Sequence, residues 1–250
     1  MKKILAYPLS ILYYLLFGFS LVIFHPIQWL TLNIFGYQAH KTTVDVLNWF
    51  LMRCLNVLGT RFTYSNPYTI DLEQPCIIVA NHQGQYDIPP IIWFLRKLHP
   101  KFISKKELGR GIPSISYNLR HGGSVLIDRK DREQAVQAIY DIAHYCNTHH
   151  RSVVIFAEGT RSRDGIPMRF ATAGLKTLFE EMPDALVVPV TIDNSWKLMR
   201  WGAFPTDLGV HVQLQVHPPI PVDGRSALEL IKEVEGVVLQ KFKVIRKRRK

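Results

Sequence analysis

The chain has 250 residues, 47% of them hydrophobic: enough for one sizeable α/β domain and too apolar for a disordered polymer. The net charge is +11, but seven cations (Lys241, Lys243, Arg246, Lys247, Arg248, Arg249, Lys250) sit in the last ten residues, so a basic nucleic-acid-binding body is disfavoured. Three cysteines (Cys54, Cys76, Cys146) without a C-x-x-C spacing argue against a disulfide framework or a cysteine-only zinc site and suit a reducing compartment.

Residues 4–39 contain no Lys, Arg, Asp or Glu. As a helix, residues 4–24 alone would reach about 31 Å, roughly the thickness of a bilayer's hydrocarbon core. The run is too long for a secretory signal, and Phe24, His25 and Pro26 stand where a cleavage site needs small residues. We expect membrane association, an interruption at His25-Pro26, and interfacial anchoring by Tyr13, Tyr14, Trp29 and Tyr37. Cations flank both ends (Lys2 and Lys3; Lys41 and Arg53), which a helical hairpin entering and leaving on one face satisfies better than a single span. Residues 42–58 have apolar positions at helical spacing and predict an amphipathic helix at the interface or against the domain. Residues 1–60 are thus expected to form a membrane-associated helical region.

From residue 61 the pattern changes to alternating strands and helices, expected to extend to about residue 240. Strands are predicted over 61–64, 76–80, 101–104, 124–127, 153–157, 186–191 and 210–216; helices over 89–97, 132–147, 171–181 and 226–241. Asp131 is a candidate cap for the second helix, with Gln134 three residues on. The alternation implies an α/β fold with a mostly parallel central sheet covered by helices. Residues 241–250 form a basic tail whose Lys and Arg are interleaved with Phe242, Val244 and Ile245, suited to anionic headgroups.

In such sheets ligands gather at the carboxyl ends of strands, so the residues after each apolar run carry the chemistry. After 76–80 comes Asn81-His82-Gln83-Gly84-Gln85-Tyr86-Asp87. Asp87 can accept the Nδ1 proton of His82 and leave Nε2 free as a base; it can also cap the helix that begins Ile88-Pro89-Pro90. A second His–Asp pair at the same spacing, His40 and Asp45, follows no strand and is read as accidental. After 124–127 come Asp128 and Arg129. After 153–157 come Glu158, Gly159, Thr160, Arg161, Ser162 and Arg163: a glycine for close backbone approach, hydroxyls, and a planar guanidinium suited to phosphate. The alternative is a surface turn closed by a Glu–Arg pair. No G-x-S-x-G elbow, P-loop or dinucleotide fingerprint is present.

Together these loops resemble the 1-acylglycerol-3-phosphate acyltransferase family, the bacterial type most of all. NHQGQYD at 81–87 is similar to its H-x-x-x-x-D signature, GGSVLIDR at 122–129 to its second block, FAEGTRSRDG at 156–165 to its third and VVPVTI at 187–192 to its proline block; Lys105, with Ile112-Pro113 following, matches a further family feature. Two positions depart from the pattern. Ala171-Thr172-Ala173 follows Phe170 where a lysine is common, and Ala157 stands where proline is usual.

The resemblance implies transfer of a fatty acyl group from acyl-CoA or acyl carrier protein to the sn-2 hydroxyl of lysophosphatidic acid, forming phosphatidic acid. It assigns His82 as base and Asp87 as its orienting partner. It assigns the acceptor phosphate to Arg161 and the turn at Gly159 and Thr160, with Arg129 and Lys105 as candidates, and gives Glu158 the glycerol or the arginine to hold. No metal or cofactor and no covalent nucleophile is expected. The expected partners are membrane lipids, not nucleic acid, at the cytoplasmic face of the inner membrane. Another lysophospholipid or glycerol-3-phosphate as acceptor, and a non-catalytic lipid-binding relative, remain open alternatives.

Overall fold

The computed structural model describes residues 2–242; most of the basic tail, residues 243–250, lies outside the described residues. Eight strands form one sheet: β1 (Arg61–Ser65), β2 (Cys76–Ala80), β3 (Pro100–Lys105), β4 (Val125–Ile127), β5 (Ser152–Phe156), β6 (Leu186–Asp193), β7 (His211–Val216) and β8 (Ile220–Pro221). Their order is β1-β7-β6-β2-β5-β3-β4, with β8 beside β6. All pairings are parallel except those of β6 with β7 and with β8. The expected mostly parallel α/β sheet is therefore present. The short β8 was not anticipated: Pro218-Pro219 break the apolar run after Val216, and the chain rejoins β6 one step further along.

Period-two alternation sends β2 into two cores at once. Ile77 and Val79 pack with α5 (Arg132–His149), α6 (Thr172–Glu181) and α7 (Ala227–Val238) on one face. Cys76, Ile78 and Ala80 pack on the other with α3 (Ile88–Phe94) and Val44. All five β2 residues are buried, as a central parallel strand requires. Asp131 caps α5 by accepting from Gln134 N at 3.0 Å, as the sequence suggests. The seven-residue α4 (Ile115–His121) was not anticipated, being too short to display a helical period.

The N-terminal region is a helical hairpin, but its turn is not where the sequence suggested. α1 runs unbroken from Lys2 to Phe35 through Pro8 and Pro26, and the chain reverses at Gly36, where φ is 78°, into α2 (Tyr37–Asn56). Pro26 opens the helical ladder by removing one N–H donor. Ser114 docks at this point: its Oγ donates to Leu21 O at 2.6 Å and its N–H to His25 Nδ1 at 3.0 Å. Other ties run along nearly the whole of α1: Lys2 to the buried Asp207 (2.9 Å), Ser10 to Thr206 N (2.9 Å), Tyr13 against Tyr86, Thr31 to Thr43 and Asn33 to the Tyr117 hydroxyl. The opposite face is bare: Ile4, Leu15, Phe19, Ile34 and Phe35 are 62–72% exposed. By length and composition α1 is the one helix among the described residues that is apolar enough to cross a membrane.

The start of α2 docks on the amino edge of the sheet through a packed group of cations. Lys101, 6% exposed, donates to Gly122 O at 2.6 Å and lies 4.7 Å from the Tyr37 ring centre, over which Arg151 also sits at 3.6 Å. Burial, reinforced by Arg151, pushes the Lys101 pKa down to about 7. Above that pH the folded chain binds fewer protons than the unfolded one, so stability rises with pH towards the ordinary lysine value. We expect the unfolding free energy to grow by about 2 kcal/mol between pH 7 and 9, and Lys101→Met to flatten that slope. Urea unfolding at both pH values checks this; an unchanged slope in the variant contradicts it.

Candidate active site

Because β2, β5, β3 and β4 are parallel neighbours, their carboxyl ends lie on one edge of the sheet. The registers pair Ala80 with Phe156 and Lys105 with Ile127, so the loops carrying His82, Arg161, Lys105 and Arg129 all leave from that edge. At about 4.8 Å per strand, Lys105 and Arg129 stand roughly 10 and 14 Å from the line of β2.

The side chains of His82 and Asp87 meet. Nδ1 of His82 lies 2.8 Å from Asp87 Oδ2, and Asp87 has no solvent exposure. The same oxygen accepts backbone N–H groups from Gln83 (2.7 Å) and Gly84 (2.9 Å). A carboxylate facing these donors fixes the proton of the neutral imidazole on Nδ1 and leaves Nε2 as the acceptor. Asp87 also immediately precedes α3, whose first turn holds Pro89 and Pro90, but its side chain makes no capping hydrogen bond to that helix, contrary to the sequence expectation; both oxygens serve the dyad turn and Ser195 instead. The other His–Asp pair is separated: His40 Nδ1 faces Gln28 O, and Asp45 pairs with Lys41.

The third-block loop clamps His82 from three sides. Its N–H donates to Glu158 Oε1 (2.8 Å), and its carbonyl accepts from Ser162 N (2.8 Å) and Ser162 Oγ (2.9 Å). Its ring stacks on Phe156 with centres 4.0 Å apart. Glu158, expected to hold the glycerol or the arginine, here braces the backbone of the loop. It is buried, its second oxygen accepts Met168 N at 2.7 Å, and no ion pair to Arg161 exists among the described residues. Burial raises its pKa, opposed by the two backbone donors. The Ser162 hydroxyl is likewise committed to the scaffold.

Gly159 has φ 68°, the left-handed conformation that lets the loop turn outwards, and Gly159, Thr160 and Arg161 are exposed beyond it. Lys105 and Arg129 are exposed too, and none of these three cations forms an ion pair among the described residues. Arg161 divides two concavities. Outwards lies an open depression of about 690 Å³ lined also by Arg163, Met168 and Arg169. Inwards lies an apolar cavity of about 240 Å³. Arg161, Gln85, Tyr86 and Phe17 line it, as does Gln28, eleven residues beyond Phe17 on α1 and so about 16 Å along that helix. Leu47, Leu51, Ile88, Ile92 and Ile112 form its walls.

The cysteines offer no nucleophile here. All three are buried, and burial pushes the Cys76 and Cys146 thiols up to about 11 and about 12. One residue at the site escaped the sequence reading. Ser195, completely buried, hydrogen-bonds to Asp87 Oδ1. It follows the strand 186–193, and its place just beyond that carboxyl end is the signal in the sequence that points to it.

The acyltransferase family model matches residues 61–193, which span β1 to the end of β6 and the loops carrying His82, Lys105, Arg129 and Arg161. The 1-acyl-sn-glycerol-3-phosphate acyltransferase of Helicobacter pylori is 34% identical over 127 residues, 50% of this chain and 51% of that protein. The protein of the same name from Pseudomonas aeruginosa is 24% identical over 237 residues, 92% of this chain and 88% of its own. Across the first curated relatives the chain spans about half to two thirds of their length. The crystal structure of the 1-acyl-sn-glycerophosphate (LPA) acyltransferase PlsC from Thermotoga maritima is similar over 98% of both chains, with a TM-score of 0.81 and 25% identity. With more than half of its length matched, and the clamped His82–Asp87 pair inside the matched segment, this chain belongs to the acyltransferase family.

Proposed function

We propose that the chain transfers a fatty acyl group from a thioester, on coenzyme A or acyl carrier protein, to the sn-2 hydroxyl of lysophosphatidic acid, yielding phosphatidic acid. The observation that carries this reading is His82, with Nδ1 held by the buried Asp87, no partner on Nε2 among the described residues, and its carbonyl bonded to Ser162 next to Arg161, which lines an apolar cavity. The named relatives and the Thermotoga structure support the same acceptor class.

In this mechanism His82 Nε2 takes the hydroxyl proton as the acceptor oxygen bonds to the thioester carbonyl carbon. Asp87 stabilises the imidazolium that forms. The carbon–sulfur bond then breaks, and the leaving sulfur takes the proton back, so ester and thiol are the products. The guanidinium of Arg161 meets the acceptor phosphate, with Lys105 and Arg129 further along the same edge and Gly159 and Thr160 supplying the turn. The cavity takes an acyl chain along the α1–α2 hairpin.

The bare face of α1 supports membrane lipids as partners. A helix tied to a folded domain along most of its length lies on a bilayer more readily than it crosses one. Such an orientation at the cytoplasmic face of the inner membrane brings the lipid acceptor and the soluble acyl carrier to one edge of the sheet.

Three outcomes are expected. His82→Ala lowers turnover by about 100-fold or more with the fold intact, read as free thiol released from an acyl thioester in the presence of lysophosphatidic acid. Unchanged turnover would remove the base assignment, and no thiol release by the wild type under any acceptor would favour the lipid-binding alternative. Arg161→Ala raises the KM for lysophosphatidic acid more than it lowers kcat, and a panel including glycerol-3-phosphate and other lysophospholipids identifies the acceptor. Leu15→Glu with Phe19→Glu reduces co-sedimentation with anionic vesicles roughly 10-fold, because the charges would enter the apolar leaflet; undiminished binding contradicts the orientation of α1.

A further inference from the structure

Asp87 has a second oxygen that the His82 contact does not use. Oδ2 receives three N–H donors, from His82 Nδ1 and from the Gln83 and Gly84 backbone. Oδ1 faces Ser195 Oγ in hydrogen-bond contact. Ser195 has no solvent exposure and comes from a different part of the chain, the 3-10 turn Ser195–Met199 after β6. Its position is built rather than incidental. Asn194 turns the chain with φ 69°. One residue before His82, the Asn81 side chain staples the ends of β2 and β6 by donating to Ile192 O (2.9 Å) and accepting from Ile192 N (2.7 Å).

Proton accounting gives the direction of the contact. Three N–H groups aimed at Oδ2 leave no room for a proton there, so the carboxyl can be neutralised only on Oδ1. A serine that donates to Oδ1 opposes this. Ser195 Oγ also lies 3.3 Å from the Gln83 side-chain oxygen, while Gln83 Nε2 is buried without a partner. A half-turn of the amide presents Nε2 to Ser195, whose hydroxyl then accepts from Gln83 while it donates to Asp87. The hydrogen bonds then run in one sense, from Gln83 to Ser195 to Asp87, with His82 donating from the other side.

We infer that Ser195 is a positioning residue of the acyl-transfer site: its buried hydroxyl holds Asp87 ionised and turned towards His82. The inference rests on the base role given to His82 above. Ser195 is no nucleophile, since it is enclosed and its proton points at the carboxylate. The other titratable groups around the pair are Glu158 on the β5 loop, Tyr86 on the dyad's own turn, Tyr13 on α1 against Tyr86, Arg161 at the cavity and Lys197 on the turn of Ser195. Among the described residues none of these reaches Oδ1 by hydrogen bond or ion pair.

The test is the pH dependence of kcat/KM for thiol release with lysophosphatidic acid, in wild type, Ser195→Ala and Ser195→Thr. Without the hydroxyl, Oδ1 is stranded in a dry site, and the His82–Asp87 pair binds a proton more readily. The acid limb of Ser195→Ala is expected to move up by about one pH unit, and that of Ser195→Thr to stay near wild type. Ser195→Cys, with a weaker donor, falls between and replaces the threonine variant if the added methyl prevents folding. A Ser195→Ala limb that does not move overturns the inference, whatever happens to the rate or to thermal stability. His82→Ala measured alongside separates the two readings. If it keeps its turnover, the base assignment fails and the Ser195 inference with it. If it loses turnover while the Ser195→Ala limb stays in place, only the role of Ser195 fails.

Discussion

A carboxylate withdrawn from water needs donors in place of its lost hydration, and Asp87 has four: His82 Nδ1, two backbone N–H groups and the Ser195 hydroxyl. Each comes with a structural obligation. The two amides require the tight turn 83–87. The imidazole requires that the strand before it end at the same level as β5. The serine requires β6 beside β2. The local turn and the three-strand register around β2 are therefore mutually dependent, and removing any one leaves a buried charge short of a partner.

The same economy explains why the third-block loop mixes exposed and scaffold residues. Glu158 and Ser162 face inwards and hold the His82 backbone, while Gly159, Thr160 and Arg161 face outwards. A short segment thereby fixes His82 from behind and presents a cation in front. For the base role proposed for His82, precision of this kind matters because small displacements of a base from the hydroxyl it meets are costly in rate. Phe156 adds an aromatic floor that limits ring rotation.

The helical hairpin plays two parts at once. Its inner side closes an apolar cavity against α3 and α4, and its outer side leaves large aliphatic and aromatic groups bare. Polar pins at Ser10, Ser114 and Thr31 fix the rotation of α1 about its own axis, which decides which residues line the cavity and which face outwards. Hydrophobicity alone cannot make that choice, because α1 is apolar on every side. The pins supply direction where the hydrophobic effect supplies only a driving force.

Much of the fold was legible in the sequence because it depends on local periodicity. The strands at 76–80 and 186–191, the capped helix after Asp131 and the parallel character of the sheet all follow from runs and spacings. The pairing of His82 with Asp87 was legible too, since five residues in a tight loop can meet without help from elsewhere. What the sequence could not decide lies in contacts between distant segments. Pro26 looked like a break, yet Ser114, 88 residues away, docks at the opened ladder and the helix continues to Gly36. Nothing in the sequence signalled that Glu158 accepts backbone amides from His82 and Met168 and so braces the loop that carries the dyad. Ser195 follows a strand end as His82 does, but its contact with Asp87 exists only once β6 is laid beside β2. In each case the deciding partner is remote in the chain, and only the closed sheet brings it within hydrogen-bonding reach.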